Sequence, residues 1–434
     1  MKKESIIIRI IIIAVIILLL LIPLSMIGSL IDERVQYRNE AINDINRSWA
    51  DQQTITGPIL TIEEVVQKEN SLGETNQYRN MVHILPNDLS YECNVTPEIR
   101  NRGIYETVLY NADIKIKGSF SKTNFIENMI DQKSSFYQFM SLNISDMKGI
   151  KENISIKLNG KEYELVPGLR DKGVLQSGVH TFVNVGNNTD AKFEINLSIR
   201  GSKSLNFLPV GKMTKVIVSS EWNNPGFTGE FLPVKRTLNE NGFSAEWKIN
   251  HFNRNYPQMW HNNQHNIFGS AFGVNLLLPV DEYQKTMRTT KYGIMIIILT
   301  FITFFMIEVF SKKVIHPIQY LFVGLVLVIF YSLLLSLSEY MLFQYSYLIS
   351  SLLVLILITF YVRSIYSDSR IGFVISGVLV FFYGFMYVIL QLQDLSLLLG
   401  NIALFIILAI IMLATRKINW FEVMDRKGNF NTNL

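Results

Sequence analysis

A single cysteine, Cys93, stands in a chain of 434 residues, so no disulfide can form within it. Any extramembrane part must be held by a hydrophobic core rather than by covalent staples. Histidine is scarce as well, with six in all. The chain lacks a Gly-x-Ser-x-Gly elbow, a His-Glu-x-x-His pair, a Gly-x4-Gly-Lys-Ser/Thr phosphate loop and a dinucleotide fingerprint. An enzyme would need catalytic residues assembled only by folding. These absences point to a non-enzymatic protein with no catalytic residue, metal or cofactor.

Lysine and arginine are missing from the middle of six apolar windows: Ile10 to Leu30, Gly293 to Phe310, Pro317 to Leu337, Met341 to Val362, Ile371 to Leu390 and Leu395 to Ala414. A helix rising 1.5 Å per residue needs about 20 apolar residues to cross a hydrocarbon core about 30 Å thick. Six transmembrane helices are therefore predicted. The first run follows Met1-Lys2-Lys3 but is longer than the roughly 7–15 apolar residues of a signal peptide and has no small-x-small cleavage site. It reads as a retained anchor.

Basic residues sort the loops. Lys2, Lys3 and Arg9 precede the first window, Lys312 and Lys313 join the second to the third, Arg363 and Arg370 join the fourth to the fifth, and Arg416, Lys417, Arg426 and Lys427 follow the sixth. The alternate short loops carry Glu339 and Asp394 and no Lys or Arg. Since positive charge stays cytoplasmic, both termini are predicted inside and residues 31–291 outside. Much of the formal +4 charge belongs to these loops. It sets topology and does not signal nucleic acid.

The expected fold is an α-helical membrane bundle of six transmembrane helices with a large mainly-β outer domain inserted between the first and second. Its parts are residues 1–30, tip and first span; 31–57, a helical stalk; 58–290, the β domain; 291–415, a five-helix bundle; and 416–434, a cytoplasmic tail. In the stalk, Ile31, Val35, Arg38, Ile42, Ile45 and Trp49 recur at steps of four and three, one helical face. That stripe packs on the domain or pairs with a second copy as a coiled coil, and a helix end is expected near Thr54 to Pro58. Strand-like runs cover Pro58 to Val66, Tyr105 to Phe120, Asn153 to Leu165, Lys192 to Arg200, Lys215 to Ser220 and Gly242 to Ile249. They are punctuated by Asn159-Gly160, Gly186-Asn187-Asn188 and Asn241-Gly242. Only Asn124 to Gln138 reads as helix. The expected domain is antiparallel, either one sandwich or two β subdomains.

Candidate sites are few. His251, His261 and His265 sit among asparagines without an acidic or cysteine partner, and read as surface or packing histidines. Ionisable and polar groups at membrane depth are costly and face a bundle interior or water. Glu308 lies near the cytoplasmic end of the second span. At the outer ends of the third and fifth spans lie Ser336, Ser338 and Glu339, and Gln391, Gln393 and Asp394. These six either end helices in the interfacial layer or line a shared polar pocket. Gly377, Tyr383, Gly384 and Tyr387 read as a helix-packing face.

Several strings resemble the CreD family of bacterial inner-membrane proteins: Leu278 to Lys285, Lys291-Tyr292-Gly293, His316 to Leu321, Leu333 to Glu339, Leu390 to Asp394 and Leu397 to Gly400. Arg102-Gly103-Ile104-Tyr105, Gly178-Val179-His180, Pro209-Val210-Gly211 and Phe231-Leu232-Pro233 extend the likeness into the inserted domain, weakest between Lys122 and Gly160. The resemblance implies an inner-membrane protein of Gram-negative bacteria, its outer domain periplasmic, linked to envelope integrity and stress response, with no assigned activity. It supplies no catalytic residues. Together these readings suggest a periplasmic binding or sensing domain on a membrane bundle, partnered by the lipid bilayer, an envelope component and a homo-oligomeric copy. The alternative is a transporter or lipid-handling protein that uses the six polar residues.

Overall fold

The computed structural model describes residues 6–69, 75–121, 134–185, 190–278, 282–311, 314–365, 369–391 and 396–416. They form two compact units, Asn39–Pro279 and Met1–Arg38 with Val280–Leu434.

The first unit is built of strands. In chain order these are β1 (Gln53–Glu69), β2 (Thr75–Ile84), β3 (Asp88–Arg102), β4 (Tyr105–Phe120), β5 (Ser134–Ile144), β6 (Ser155–Leu158), β7 (Lys161–Glu164), β8 (Val166–Pro167) and β9 (Gly178–Phe182). They continue with β10 (Ala191–Ser202), β11 (Ser204–Phe207), β12 (Met213–Ser220), β13 (Pro225–Gly229), β14 (Lys235–Asn239), β15 (Gly242–Asn250), β16 (Met259–His261) and β17 (Phe272–Leu276). One sheet runs β13-β17-β11-β1-β5-β9-β8, with β2 paired to β1 and β16 to β2; the other runs β14-β15-β12-β3-β4-β10-β6-β7. Pairing is antiparallel except β1 with β11 and β3 with β12.

Alternation explains the layering. In β3, Leu89, Tyr91, Cys93 and Val95 are buried, while Glu92 and Asn94 between them are exposed. The inward residues of both sheets join one core, with Leu60 and Ile62 of β1, Val216 and Val218 of β12 and the fully buried Trp247 of β15. This is a sandwich with a single core. Asn159 and Gly160, at φ 49° and 84°, supply the two positive-φ positions of the β6–β7 hairpin.

Two sequence expectations change here. The segment expected as helix over Asn124 to Gln138 is strand from Ser134, as part of β5; its residues 124–133, like the Gly186 to Asn188 turn, lie outside the described residues. The stalk does not extend through residue 57. Helix α1 (Ile6–Trp49) ends earlier, and Gln53 already pairs with Leu205. Gly57 and Pro58 sit inside β1, where its register against β5 shifts between Thr56 and Ile59. They mark a bulge rather than a helix end, and Tyr91 OH donates to Gly57 O at 2.9 Å and accepts from Gly57 N at 3.2 Å. On the stripe of α1, Ile31 is buried and Val35, Arg38, Ile42, Ile45 and Trp49 are half-buried. At its end the Trp49 ring lies 4.5 Å from the Arg200 guanidinium.

The second unit holds residues 6–38 of α1, then α2 (Glu282–Lys291), α3 (Gly293–Ser311), α4 (Pro317–Ser338), α5 (Phe343–Ile365), α6 (Ser369–Gln391) and α7 (Ser396–Thr415). Helices α3 to α6 close a ring, each touching the next and α6 touching α3, while α2 lies against all four. Leu20 and Leu24 of α1 join the bundle core, and a Cβ at Gly324 would collide with Leu20.

The expected six spans are corrected by this geometry. Among the described residues four helices are long and apolar enough to cross a membrane, or five if α2 and α3, bent by 41°, count as one span. The sixth window is helical as α7, several of whose side chains lie outside those described, and it is not among the four or five.

Candidate functional site

Of the six polar residues singled out in the spans, Gln393 and Asp394 lie outside the described residues. The other four do not converge. Ser336 and Gln391 are exposed, whereas Ser338 is buried, donating to Leu335 O at 2.9 Å and accepting from Thr286 of α2 at 3.4 Å. Glu339 caps α4 and faces Arg34 Nε at 3.5 Å. Among the described residues no hydrogen bond joins Gln391 to Ser338 or Glu339. At the opposite end of the bundle, Glu308 is buried, bonded by Arg9 and by Tyr320 OH at 3.0 Å. Arg9, read from sequence only as an orienting charge, is thus also the partner of Glu308. Of the expected packing face, Tyr383 is buried in the bundle core and Tyr387 packs against it, whereas Gly377 and Gly384 are exposed and, among the described residues, a Cβ at either would meet nothing within 4 Å.

The histidines divide differently from their sequence order. Among the described residues no group of three or more His, Cys, Asp or Glu could hold a metal ion. His251 stacks on Phe252 at 4.0 Å, His261 is exposed in β16, and His265 meets the Trp260 ring edge-on. The histidine with the richest surroundings is His83, which the sequence did not single out.

The register of β1 builds its setting. Thr61 stands opposite His83 of β2 and Phe139 of β5, and Glu63 opposite Met81 and Tyr137. Leu60 and Ile62 point to the core, so Thr61 and Glu63 fall on the other face of the sheet. Glu63, wholly buried, takes Arg170 Nε at 2.5 Å and faces Arg79 Nε at 3.7 Å. The Arg170 guanidinium lies 5.6 Å from the Tyr137 ring centroid and 5.2 Å from that of Phe182. Its neighbour Asp171 approaches His83 Nε2 at 3.3 Å, while Thr61 Oγ1 meets His83 Nδ1 at 3.0 Å. Burial pushes the His83 pKa below its ordinary 6.5; Asp171 opposes that shift and His261 adds to it.

Threonine, histidine and aspartate in a line have the composition of a nucleophile relay, but not its geometry. In such a relay Nε2 serves the nucleophile and Nδ1 the acid; here the two nitrogens are reversed. Thr61 is only 2% exposed, so its hydroxyl is closed to a substrate carbonyl. The arrangement fastens residues 170–171 and Trp260 over the sheet. Val82-His83-Ile84 carried a faint signal, a histidine on the non-core face between two core residues. Nothing local announced Arg170.

The outer face of the other sheet is open. A groove of about 710 Å³ crosses β12, β3, β4 and β10, lined by Glu92, Asn94, Asp113, Lys115, Asn196 and Ser198 among others, with residues 152–154 at its rim. Ser198 Oγ donates to Asp113 at 2.5 Å, and Lys115 pairs with Glu194 at 3.1 Å. The Glu194 partner raises the Lys115 pKa, and that contact lowers the pKa of Glu194. The groove is acidic on balance, with Glu92, Asp113 and Glu152 against Lys115, and rich in hydrogen-bonding groups.

A family model described as inner membrane protein CreD matches residues 5–421. The inner membrane protein CreD of Escherichia coli (strain K12) is 32% identical over 411 residues, covering 92% of this chain and 90% of that protein.

Proposed function

The chain belongs to the CreD family of inner membrane proteins, and from that premise we propose that it is a non-enzymatic envelope protein whose β unit faces the periplasm and binds a polar envelope component there. The single observation behind this reading is the open groove over β12, β3, β4 and β10. It offers carboxylates, amides, hydroxyls and a lysine on a face held rigid by the core beneath, as a surface reading a glycan or polar peptide requires. The basic loops support a periplasmic placement, because every short loop votes for the same side. A role in envelope integrity or stress response follows from ligand occupancy being relayed to the membrane helices.

Full-length protein in detergent should retain a component from solubilised envelope fractions, and Asp113→Ala with Asn196→Ala should release it. Retention undiminished in the double variant, together with rescue of a deletion strain by a chain lacking residues 58–290, would remove the basis for this role.

A further inference from the structure

The ring α3–α6 carries an unexplained layer of hydroxyls. Thr300 on α3, Tyr331 on α4, Ser350 on α5 and Tyr383 on α6 are 1%, 0%, 0% and 2% exposed. None of the four hydroxyl oxygens has a hydrogen-bond partner among the described residues. All four sit at one level. Gly293 to Thr300, Phe343 to Ser350, Tyr331 to Ser338 and Tyr383 to Gln391 are each about two helical turns, roughly 10–12 Å, from the end that α2 covers. One turn further in, the corresponding residues are Phe304, Leu327, Val354 and Leu379, all buried and apolar.

The α2 side differs again. The buried face of α2 consists of Tyr283, Thr286, Thr289 and Thr290, and Ser338 and Ser346 are buried just inside it. Hydroxyl side chains thus run from α2 down to the layer and are interrupted by the apolar one, beyond which Thr359 and Ser376 bond each other at 2.8 Å and Tyr320 bonds Glu308. A buried hydroxyl that finds no partner is strongly disfavoured, most of all inside a membrane. Four on four helices at one depth call for a ligand that both donates and accepts hydrogen bonds.

Its charge is also constrained. Between Gly293 and Val309 the only ionisable acid or base is Glu308, α4 has none, α5 has only Arg363 and α6 only Arg370, all beyond the apolar layer. An ion at the hydroxyl level would be uncompensated. We infer that the α2-side half of the ring is a hydrated half-channel that takes water and small neutral hydroxylic solutes and ends on Phe304, Leu327, Val354 and Leu379. This stands apart from the β-unit reading and survives its failure.

The native chain suits a cysteine test, because Cys93 is its only thiol, is buried, and is pushed up in pKa by that burial. Full-length protein in lipid nanodiscs, carrying Thr300→Cys, Ser350→Cys, Leu327→Cys or Val354→Cys, is treated with a small uncharged hydrophilic methanethiosulfonate. Thr300→Cys and Ser350→Cys should react at least about ten-fold faster than the other two, access being what separates equally buried thiols. Comparable rates at both levels overturn the proposal. If a variant fails to fold, hydroxyl-radical footprinting of the unaltered chain decides. Oxidation of Tyr331 and Tyr383 well above that of Phe304 supports the half-channel, and equal protection of all three overturns it.

Discussion

Replacing Arg170 by Ala tests the buried carboxylate in the β unit. Glu63 is fully buried and is held by Arg170, 30% exposed, at 2.5 Å and by Arg79, 60% exposed, at 3.7 Å. Without Arg170 the carboxylate keeps only the longer, solvent-screened contact. Stranding one member of a buried ion pair costs about 3–5 kcal/mol. Arg170 is partly in water, which places the electrostatic loss at the lower end, about 3 kcal/mol. Losing the guanidinium from the Tyr137 and Phe182 faces removes about 0.5–1 kcal/mol more. The assay is urea unfolding of the full-length protein in detergent, followed by tryptophan emission. Four of the five tryptophans, Trp49, Trp222, Trp247 and Trp260, lie in Asn39–Pro279, so the signal reports that unit. Removing the charge with Glu63→Gln should make Arg170→Ala much cheaper, with a coupling of at least about 1.5 kcal/mol in a double-mutant cycle. Losses that simply add, or a loss below about 0.5 kcal/mol for Arg170→Ala, would refute the account.

Three further outcomes follow from the same unit. His83 is held neutral by burial, so the unfolded chain takes up its proton first; its stability contribution is complete above pH 6.5 and is lost as pH falls through the lowered folded pKa. Unfolding curves between pH 8 and pH 5 should therefore slope less steeply in His83→Gln, and an unchanged slope would exclude His83 as a source. Tyr91→Phe should lower stability by about 1–3 kcal/mol in thermal melts by leaving the buried Gly57 N–H and C=O without their hydroxyl partner; a neutral result would show that those groups find another. Cys93 should resist a water-soluble disulfide reagent in the folded protein and react fully after denaturation, because burial both covers the thiol and pushes its pKa up; rapid modification of the folded chain would contradict its place in the core.

The membrane helices were largely legible because a bilayer imposes a length requirement on consecutive residues, and α4, α5 and α6 nearly coincide with the windows Pro317 to Leu337, Met341 to Val362 and Ile371 to Leu390. Counting spans was harder, since the bend at Tyr292 separates the polar α2 from the apolar α3. β4, β10, β12 and β15 were legible for a similar local reason, alternation against one core. β3 was not read, because Pro97 and its run of polar residues obscure the alternation. The polar-cluster reading found Ser338 and Glu339 in specific contacts but grouped them with Gln391, which does not bond to them. Position near a helix end says little about which way a side chain faces.

By itself the sequence determined the properties written in consecutive residues: the apolar segments, their order around a long polar insert, the β character of that insert, and the absence of an internal disulfide. Tertiary structure alone decided which distant residues meet. The parallel pairs β1–β11 and β3–β12 join residues far apart in the chain, and the Glu63–Arg170 and Arg9–Glu308 contacts cross 107 and 299 positions. The four hydroxyls of Thr300, Tyr331, Ser350 and Tyr383 share a level only because four antiparallel helices close into a ring. Local pattern encodes how a residue is solvated by its own element, but partners across elements are chosen by packing, whose information is spread over the whole chain.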